Sequence, residues 1–452
     1  MKIENFLIDG NCSIKDALTK IDNNSFGIIF SQTKSGEVYG VATDGDIRRS
    51  LIAGLGLDDK LDKCINKEFH WEDNNASREA LIKKLDQKIK VIPILDSKMH
   101  LVDVITKENL PEIEEMPVYA RAKSPVRISF GGGGSDLTHY FSNGIGAVIN
   151  ATVSFYSHAT LHIRSDSKII IHSLDLGSTL RADNLVDCLN AKGEFGLIQA
   201  VIKTVNPDFG FELDLYSDFP MSSGLGGSAV VAASILGCFN QFRKDQWSLH
   251  ELSELAYEAE RLHQGVEGGW QDQYATIFGG FNFIEFKMDQ NVVHPLRIPP
   301  EILLELEESL VLCNTGIQHN SGNIHKDQRN QMRSKNKQAL VQKNVDLCYK
   351  LRNQLLRGSL MEFGKSLDTA WKFKRDLSNE ISNSQLDGIY DQAMMNGAIG
   401  GKLLGAGGGG FFLFFVPPSS KHLLLSHLEK EGLKASPFRF ESDGLKSWKV
   451  RL

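Results

Sequence analysis

The sequence has no two cysteines spaced to share a metal ion. Its six, Cys12, Cys64, Cys188, Cys238, Cys313 and Cys348, lie far apart with no C-x-x-C pair. That pattern excludes a zinc or disulfide framework and fits buried thiols in a reducing compartment. No segment holds 18 consecutive apolar residues, and the opening MKIENFLIDG lacks the apolar core of a signal peptide. No membrane span is expected, and the expected location is the cytoplasm. Excess positive charge is missing as well: 50 Lys and Arg against 56 Asp and Glu leave a net charge of -6. An acidic balance argues against nucleic acid as the main partner. What remains is an ordinary globular composition, 41% hydrophobic and 23% charged over 452 residues. That is enough for two or three domains with full cores.

The first 115 residues read as a loose internal repeat. SIKDALTKI has helical spacing and precedes the apolar FGIIF and then EVYGVATDGDIRRSLIAG; the order returns as ASREALIKKLD, KVIPILD and HLVDVITKENL. Each unit predicts helix, strand, strand, helix, with the second strand entering its helix through a Thr- and Asp-containing turn. Residues 110–118, LPEIEEMPV, are acidic with two prolines and read as a linker. From Arg121 the texture changes. A strand broken by Gly131 to Gly134 is followed by alternating patterns at AVINATVSFYSHATLHIR and KIIIHSL. A hairpin at GGFNFIEF and VVHPLRI comes next, then helical patterns around 322–357 and 359–375. Strands and helices in separate runs predict an α+β fold rather than a doubly wound sheet.

The segment Pro220-Met221-Ser222-Ser223-Gly224-Leu225-Gly226-Gly227-Ser228-Ala229 runs straight into VVAASILGCFNQF, long enough for a buried helix. Glycines let backbone N–H groups approach an anion closely, and a helix N-terminus adds positive potential. Such a site suits a polyphosphate, with Ser222, Ser223 and Ser228 able to offer hydroxyls to phosphate or to magnesium. It is not a Walker A, because no Gly-Lys-Ser/Thr closes it, and not a Rossmann G-x-G-x-x-G. A flexible turn between two elements is the other reading of the same residues. Two further glycine-rich runs, 131–134 and 405–410, also abut apolar strands. Three together point to a common ligand cleft.

In this order KSPVRISFGGGGSDL, PMSSGLGGSA and KLLGAGGGGFFLFF resemble the three motifs of the GHMP kinase superfamily, over about 121–452. AYEAERLHQGVEGGWQDQYATIFGGFNFIEF and AWKFKRDLSNEIS are most similar to its heptose 7-phosphate 1-kinase branch. The resemblance implies a two-lobed kinase, lobes at 119–300 and 301–452, the second ferredoxin-like. It implies ATP and Mg2+ as cofactors and phosphorylation of the anomeric hydroxyl of a sugar or sugar phosphate, D-glycero-D-manno-heptose 7-phosphate foremost, with another small-molecule kinase of the superfamily such as an L-fucose-type kinase, or a non-catalytic sugar or nucleotide sensor on the same fold, as the alternatives. ATP is then expected on Pro220, Ser222, Ser223, Gly224, Leu225, Gly226, Gly227, Ser228 and Ala229, with the metal on Ser228 and Glu260. Asp272 takes the place of the carboxylate that orients the attacking hydroxyl, and Arg127 that of the guanidinium that offsets developing charge. Gly133, Gly134, Asp136, Gly407, Gly408 and His319 fall to the sugar substrate. Galactokinases carry an acidic residue and a histidine where this chain has Gly133 and Gly134, which argues against galactose. Gly227 departs from the family's first serine, and Trp270 and His319 depart from the branch. A phosphate on the acceptor would need a cation: Lys374 and Lys402 are the main choices, Lys372 and Arg375 the lesser ones.

GVATDGDIRR resembles the adenosine-binding turn of CBS motifs, so 1–112 is expected to be an α/β CBS pair, with Thr43 and Asp46 placed for an adenine nucleotide. In the second unit Asn109 replaces the aspartate, leaving one strong nucleotide site at most. A structural or dimerising pair is the equal alternative, and CBS modules often build homodimers.

Overall fold

The computed structural model describes residues 2–86, 88–111, 118–220, 223–317, 324, 327 and 334–451. The chain divides into two compact units, Met1–Glu115 and Met116–Leu452. The linker expected at 110–118 lies mostly outside the described residues.

The first unit repeats one motif twice. Strand β1 (Leu7–Asp9), helix α1 (Ile14–Asn24), the hairpin β2 (Ile28–Gln32) and β3 (Val38–Thr43), and helix α2 (Asp44–Ile52) form the first half. Strand β4 (Glu72–Asp73), helix α3 (Arg78–Lys84) and the hairpin β5 (Val91–Leu95) and β6 (Leu101–Thr106) form the second. In each half the leading strand pairs parallel to the next, which pairs antiparallel to the third. The leading strands are two or three residues long and carry no legible pattern. The helix expected after β6 is a turn in the described residues. Asn109 Oδ1 accepts from the N–H and Oγ1 of Thr106 at 2.6 and 2.9 Å, and its Nδ2 donates to Val104 O at 2.7 Å. Pro111 then disfavours helical geometry at Leu110.

In the second unit the elements are β7 (Val118–Gly131), α4 (Thr138–Phe141), β8 (Gly146–Ile163), β9 (Ile169–Ser173), β10 (Ser178–Ala182), α5 (Leu185–Asn190), α6 (Gly196–Val205), β11 (Phe211–Ser217), α7 (Gly227–Phe242), α8 (Leu249–Glu258), α9 (Gln271–Phe278), β12 (Phe281–Phe286), β13 (Asn291–Pro295), α10 (Pro300–Ser309), β14 (Leu310–Asn314), α11 (Lys335–Leu356), α12 (Leu360–Arg375), α13 (Ser384–Met395), β15 (Gly400–Leu403), β16 (Phe411–Phe415), α14 (Pro418–Lys430), β17 (Lys434–Ser436) and β18 (Lys446–Arg451). Strand β8 spans 18 residues. It pairs with β7 along one edge and with β12 and then β11 along the other, so one strand organises the eight-stranded sheet. A bulge at Pro125/Val126 falls where proline has no N–H to give the ladder. Helix α7 is apolar on nearly every face and packs against β7 and β8.

The second sheet is antiparallel in the order β15-β16-β14-β17, a ferredoxin-like arrangement. Its middle strand reads FFLFF and is buried throughout because helices cover it: Phe411, Leu413 and Phe415 join one core with α12, Phe412 and Phe414 another with Trp371 and Tyr390. The last strand leaves this lobe: β18 lies antiparallel to Val118–Lys123 of β7. The expectation that 301–452 forms one lobe therefore misses the return of the chain end to the first sheet. No described helix is long and apolar enough to cross a membrane.

Candidate active site

The glycine-rich loop before α7 does what its composition asks. Gly224 and Gly226 have φ of +75° and +82°, the left-handed region that glycine adopts freely, and Gly226 caps the helix. The N–H groups of Gly227, Ser228 and Ala229 begin the helix without an intrahelical acceptor. Gly226, Gly227 and Ser228 line a cavity of about 420 Å³, and the other two glycine runs meet there. A Cβ on Gly405 would sit 2.6 Å from Gly224 Cα, and one on Gly410 2.4 Å from Ser223 O. The third run thus packs backbone to backbone on the loop.

Arg127, near the end of β7, is 4% exposed. Its Nε donates to Asp272 Oδ1 at 2.8 Å, its Nη2 lies 2.7 Å from the same oxygen, and its Nη1 donates to Gly224 O at 2.7 Å. The first turn of α9 presents Asp272. Its Oδ2 takes no hydrogen bond from a described residue and faces the loop: a Cβ on Gly226 would lie 3.3 Å from that oxygen. One carboxylate oxygen is committed to a guanidinium and the other takes no hydrogen bond from a described residue and stands beside the glycine-rich loop. That arrangement can orient a hydroxyl and accept its proton.

Glu260 is 1% exposed and sits in a π-helical turn, Ala259–His263, that continues α8. Such turns rotate a side chain out of the α-helical register. Its carboxylate accepts from Ser228 Oγ and Gln273 Nε2, with Arg261 Nη1 3.9 Å away. The Oε1 of Gln273 is buried without a partner. A buried carboxylate, a serine hydroxyl and an unmatched amide oxygen are hard donors that fit Mg2+, whose remaining positions would go to phosphate and water. No trio of His, Cys, Asp or Glu able to hold a metal occurs among the described residues.

Across the cavity stand Gly133, Gly134, Asp136, Leu377, Lys374 and Lys402. Asp136 accepts from the N–H groups of Gly134 and Gln271 at 3.2 and 3.3 Å. Burial and the neighbouring Asp272 charge raise its pKa. Gly269 makes this contact possible, since any Cβ there would strike Asp136 Oδ2 at 1.8 Å. Lys374 Nζ donates to Leu403 O and Gly405 O at 2.8 and 2.6 Å, and burial, then Lys402 and Arg127, hold its pKa well below the usual lysine range. On the other side the cavity is apolar, with Leu176, Leu197, Ile198, Leu215, Phe219 and Val231, a surface suited to a nucleobase.

Several predicted contacts fall elsewhere. Gly407 and Gly408 do not line the cavity. They pack on Ile381, whose O accepts from Gly408 N–H at 2.8 Å, because the loop turns away from the cavity after Ala406. Pro220 is exposed, and Leu225 and Ala229 point into the core; none of the three lines the cavity. Trp270 stacks on Tyr257 at 3.5 Å and gives its Nε1–H to Thr138 Oγ1 at 3.0 Å, away from the cavity. Lys372 and Arg375 are engaged by Asp368 and Asp387. Ser222 and His319 lie outside the described residues. Gln273, Arg261 and the apolar wall were not anticipated: a glutamine one position past Asp272 and scattered leucines carry no sequence signal distinct from core. In the first unit, Thr43 and Asp46 form the capping box of α2, Asp46 also pairing with Arg49 at 2.6 Å.

The profile described as GHMP kinases N terminal domain matches residues 195–280, and GHMP kinases C terminal matches 351–433. The D-glycero-alpha-D-manno-heptose 7-phosphate kinase of Campylobacter jejuni is 36% identical over 336 residues, 73% of this chain and 99% of the relative. The chain belongs to the GHMP kinases. They are phosphotransferases acting on an alcohol group, and the α+β class and two-lobed kinase fold hold. Among solved structures, a D-glycero-D-manno-heptose 1-phosphate kinase from Bacteroides thetaiotaomicron superposes with a TM-score of 0.62 at 30% identity, over 73% of this chain and 99% of that one. A putative sugar kinase from Campylobacter jejuni gives 0.61 at 34%, over 75% and 100%.

Proposed function

We propose that this GHMP kinase transfers the γ-phosphoryl group of ATP to the anomeric hydroxyl of D-glycero-D-manno-heptose 7-phosphate, a step toward a nucleotide-activated sugar. The observation that carries the reading is the Arg127–Asp272 pair held against Gly224 and Gly226. Asp272 Oδ2 orients the sugar hydroxyl and takes its proton. The N–H groups at the start of α7 hold the phosphates, and Arg127 offsets the charge that grows on the transferring group. Ser228 and Glu260 would hold Mg2+, which neutralises triphosphate charge when bound. Asp136 receives ring hydroxyls. The 36% identity to a heptose 7-phosphate kinase over nearly all of that protein supports the acceptor. A step that consumes ATP on a phosphorylated sugar belongs in the cytoplasm, where the free thiols also fit. The test is ADP release with a panel of acceptors: the heptose 7-phosphate should outpace free heptose, L-fucose and galactose by at least tenfold in kcat/KM. A preference for L-fucose would replace the reading.

For the first unit, lobe and domain limits included, we keep the reading of a CBS pair at 1–112 ahead of lobes at 119–300 and 301–445, with β18 added to the first lobe. Thr43 and Asp46 at the start of α2 offer a hydroxyl, a carboxylate and helix N–H groups to an adenine nucleotide, and a homodimer through this unit is part of the proposal.

A further inference from the structure

Among the described residues, four cationic side chains reach the cavity: Arg127, Arg261, Lys374 and Lys402. Three are already committed. Arg127 is tied to Asp272 and Gly224 O, Arg261 donates to Val266 O and Gly269 O at 3.2 and 3.3 Å, and Lys374 donates to Leu403 O and Gly405 O. Lys402 differs. It is 3% exposed on β15, yet no hydrogen bond or ion pair joins its Nζ to a described residue. An ammonium on a largely buried side chain that opens on the cavity without a protein partner calls for an anion there, and a neutral hydroxyl supplies only a dipole against it.

Its place in the cavity says which anion fits. The charges that bear on Lys402 are those of Arg127, Asp136 and Lys374, and the neutral Cys348 thiol lies beside it. Cys348 lies under the first glycine run, its Sγ 3.0 and 2.8 Å from where a Cβ of Gly131 or Gly132 would be. Lys402 therefore belongs to the acceptor wall with Asp136. The phosphate loop faces Arg127 and Asp272 instead, and its triphosphate has N–H groups and Arg127 to meet it. Resting on the reading of a phosphorylated acceptor, we propose that Lys402 is the specificity residue that receives the acceptor's own phosphate. Lys374, bound to two carbonyls that fix the turn into Gly405, is a positioning residue and takes no part in that contact. Burial pushes the Lys402 pKa down to about 8, so the ammonium persists at neutral pH and a dianion would restore it further.

The experiment compares full-length wild type, Lys402→Met and Lys402→Arg with heptose 7-phosphate and unphosphorylated heptose under saturating MgATP. Lys402→Gln serves should the methionine fail to fold. The expected result is a KM for the sugar phosphate raised tenfold or more in Lys402→Met, a KM for ATP within twofold of wild type, and a much smaller fall in kcat/KM on free heptose than on the sugar phosphate. The preference for the phosphorylated acceptor then collapses, and Lys402→Arg recovers part of it. A wild-type preference kept in Lys402→Met and Lys402→Gln overturns the assignment, as does an equal rise in the KM for ATP. A wild type that uses no phosphorylated sugar overturns the acceptor reading itself, and this inference with it.

Discussion

Asp272 and Lys402 are the two residues whose chemistry the cavity leaves unfinished. Asp272→Asn keeps the shape and can still approach Arg127, but it cannot take a proton. The expected outcome is a kcat lowered roughly 10²–10⁴-fold with ATP affinity retained, read by single-turnover kinetics and nucleotide titration; retained turnover rejects the role. Lys402 gives a prediction about stability. Its pKa falls from 10.5 to about 8 in the fold, so between those values the unfolded chain binds the proton more tightly. Stability from this group therefore rises as pH goes from 8 to 10.5, and the whole burial penalty is present below 8, where both states are charged. Of the groups facing it, burial pushes the Cys348 thiol up to about 12 and raises Asp136, while Lys374, also held well below the usual lysine range, shifts stability with pH in the same direction. Removing the charge in Lys402→Met should raise stability at pH 7 by about 3 kcal/mol at most, and by little at pH 10.5. Urea unfolding at the two pH values checks this; a variant less stable at pH 7 would mean that the ammonium has a partner.

Among elements, the proposed nucleotide site rests on the loop and its helix. At Gly227, where the family resemblance leads one to expect serine, a Cβ would meet the Phe219 ring at 2.9 Å. Phe219 also lines the apolar side of the cavity. Glycine at 227 and the ring at 219 are therefore one device, and neither is free to change alone. Gly227→Ser should raise the KM for ATP several-fold by displacing the ring, while Phe219→Leu with Gly227→Ser recovers much of it. The non-additivity is the readout. Much of this was legible. Ser and Gly before an apolar run announce a tight loop entering a buried helix, and three glycine runs announce close backbone approach. What was not legible depends on long-range geometry. Gly407 and Gly408 read as substrate contacts because composition does not say where the loop bends. Lys374 and Lys402 read alike because sequence does not reveal that two carbonyls wait for one and none for the other. The π-helical turn that aims Glu260 and the return of β18 to β7 leave no periodic mark.

At the scale of the whole molecule, the Campylobacter relative spans 99% of its own length against 73% of this chain, so phosphoryl transfer in this family does not require a unit like 1–115. The first unit has its own core around Ile14, Ile21, Ile29 and Ile47 and a separate one around Phe6, Phe30 and Val104, which gives it the means to fold by itself. Control or assembly is the role proposed for it. Thr43 and Asp46 separate these, because their capping box stabilises α2 whether or not a ligand binds. Thr43→Ala should cost about 1 kcal/mol of stability as a lost cap in either case. Only a nucleotide site makes the same change abolish an effect of AMP, ADP or ATP on the kinase. The expected outcome is that residues 116–452 alone keep kcat/KM for both substrates within a few-fold but no longer respond to added adenine nucleotide, and that full-length Thr43→Ala shows the same loss. Identical AMP and ADP response curves in the full chain, the truncation and Thr43→Ala would remove the nucleotide role and leave dimerisation, measured by sedimentation with and without 1–115, as the unit's contribution.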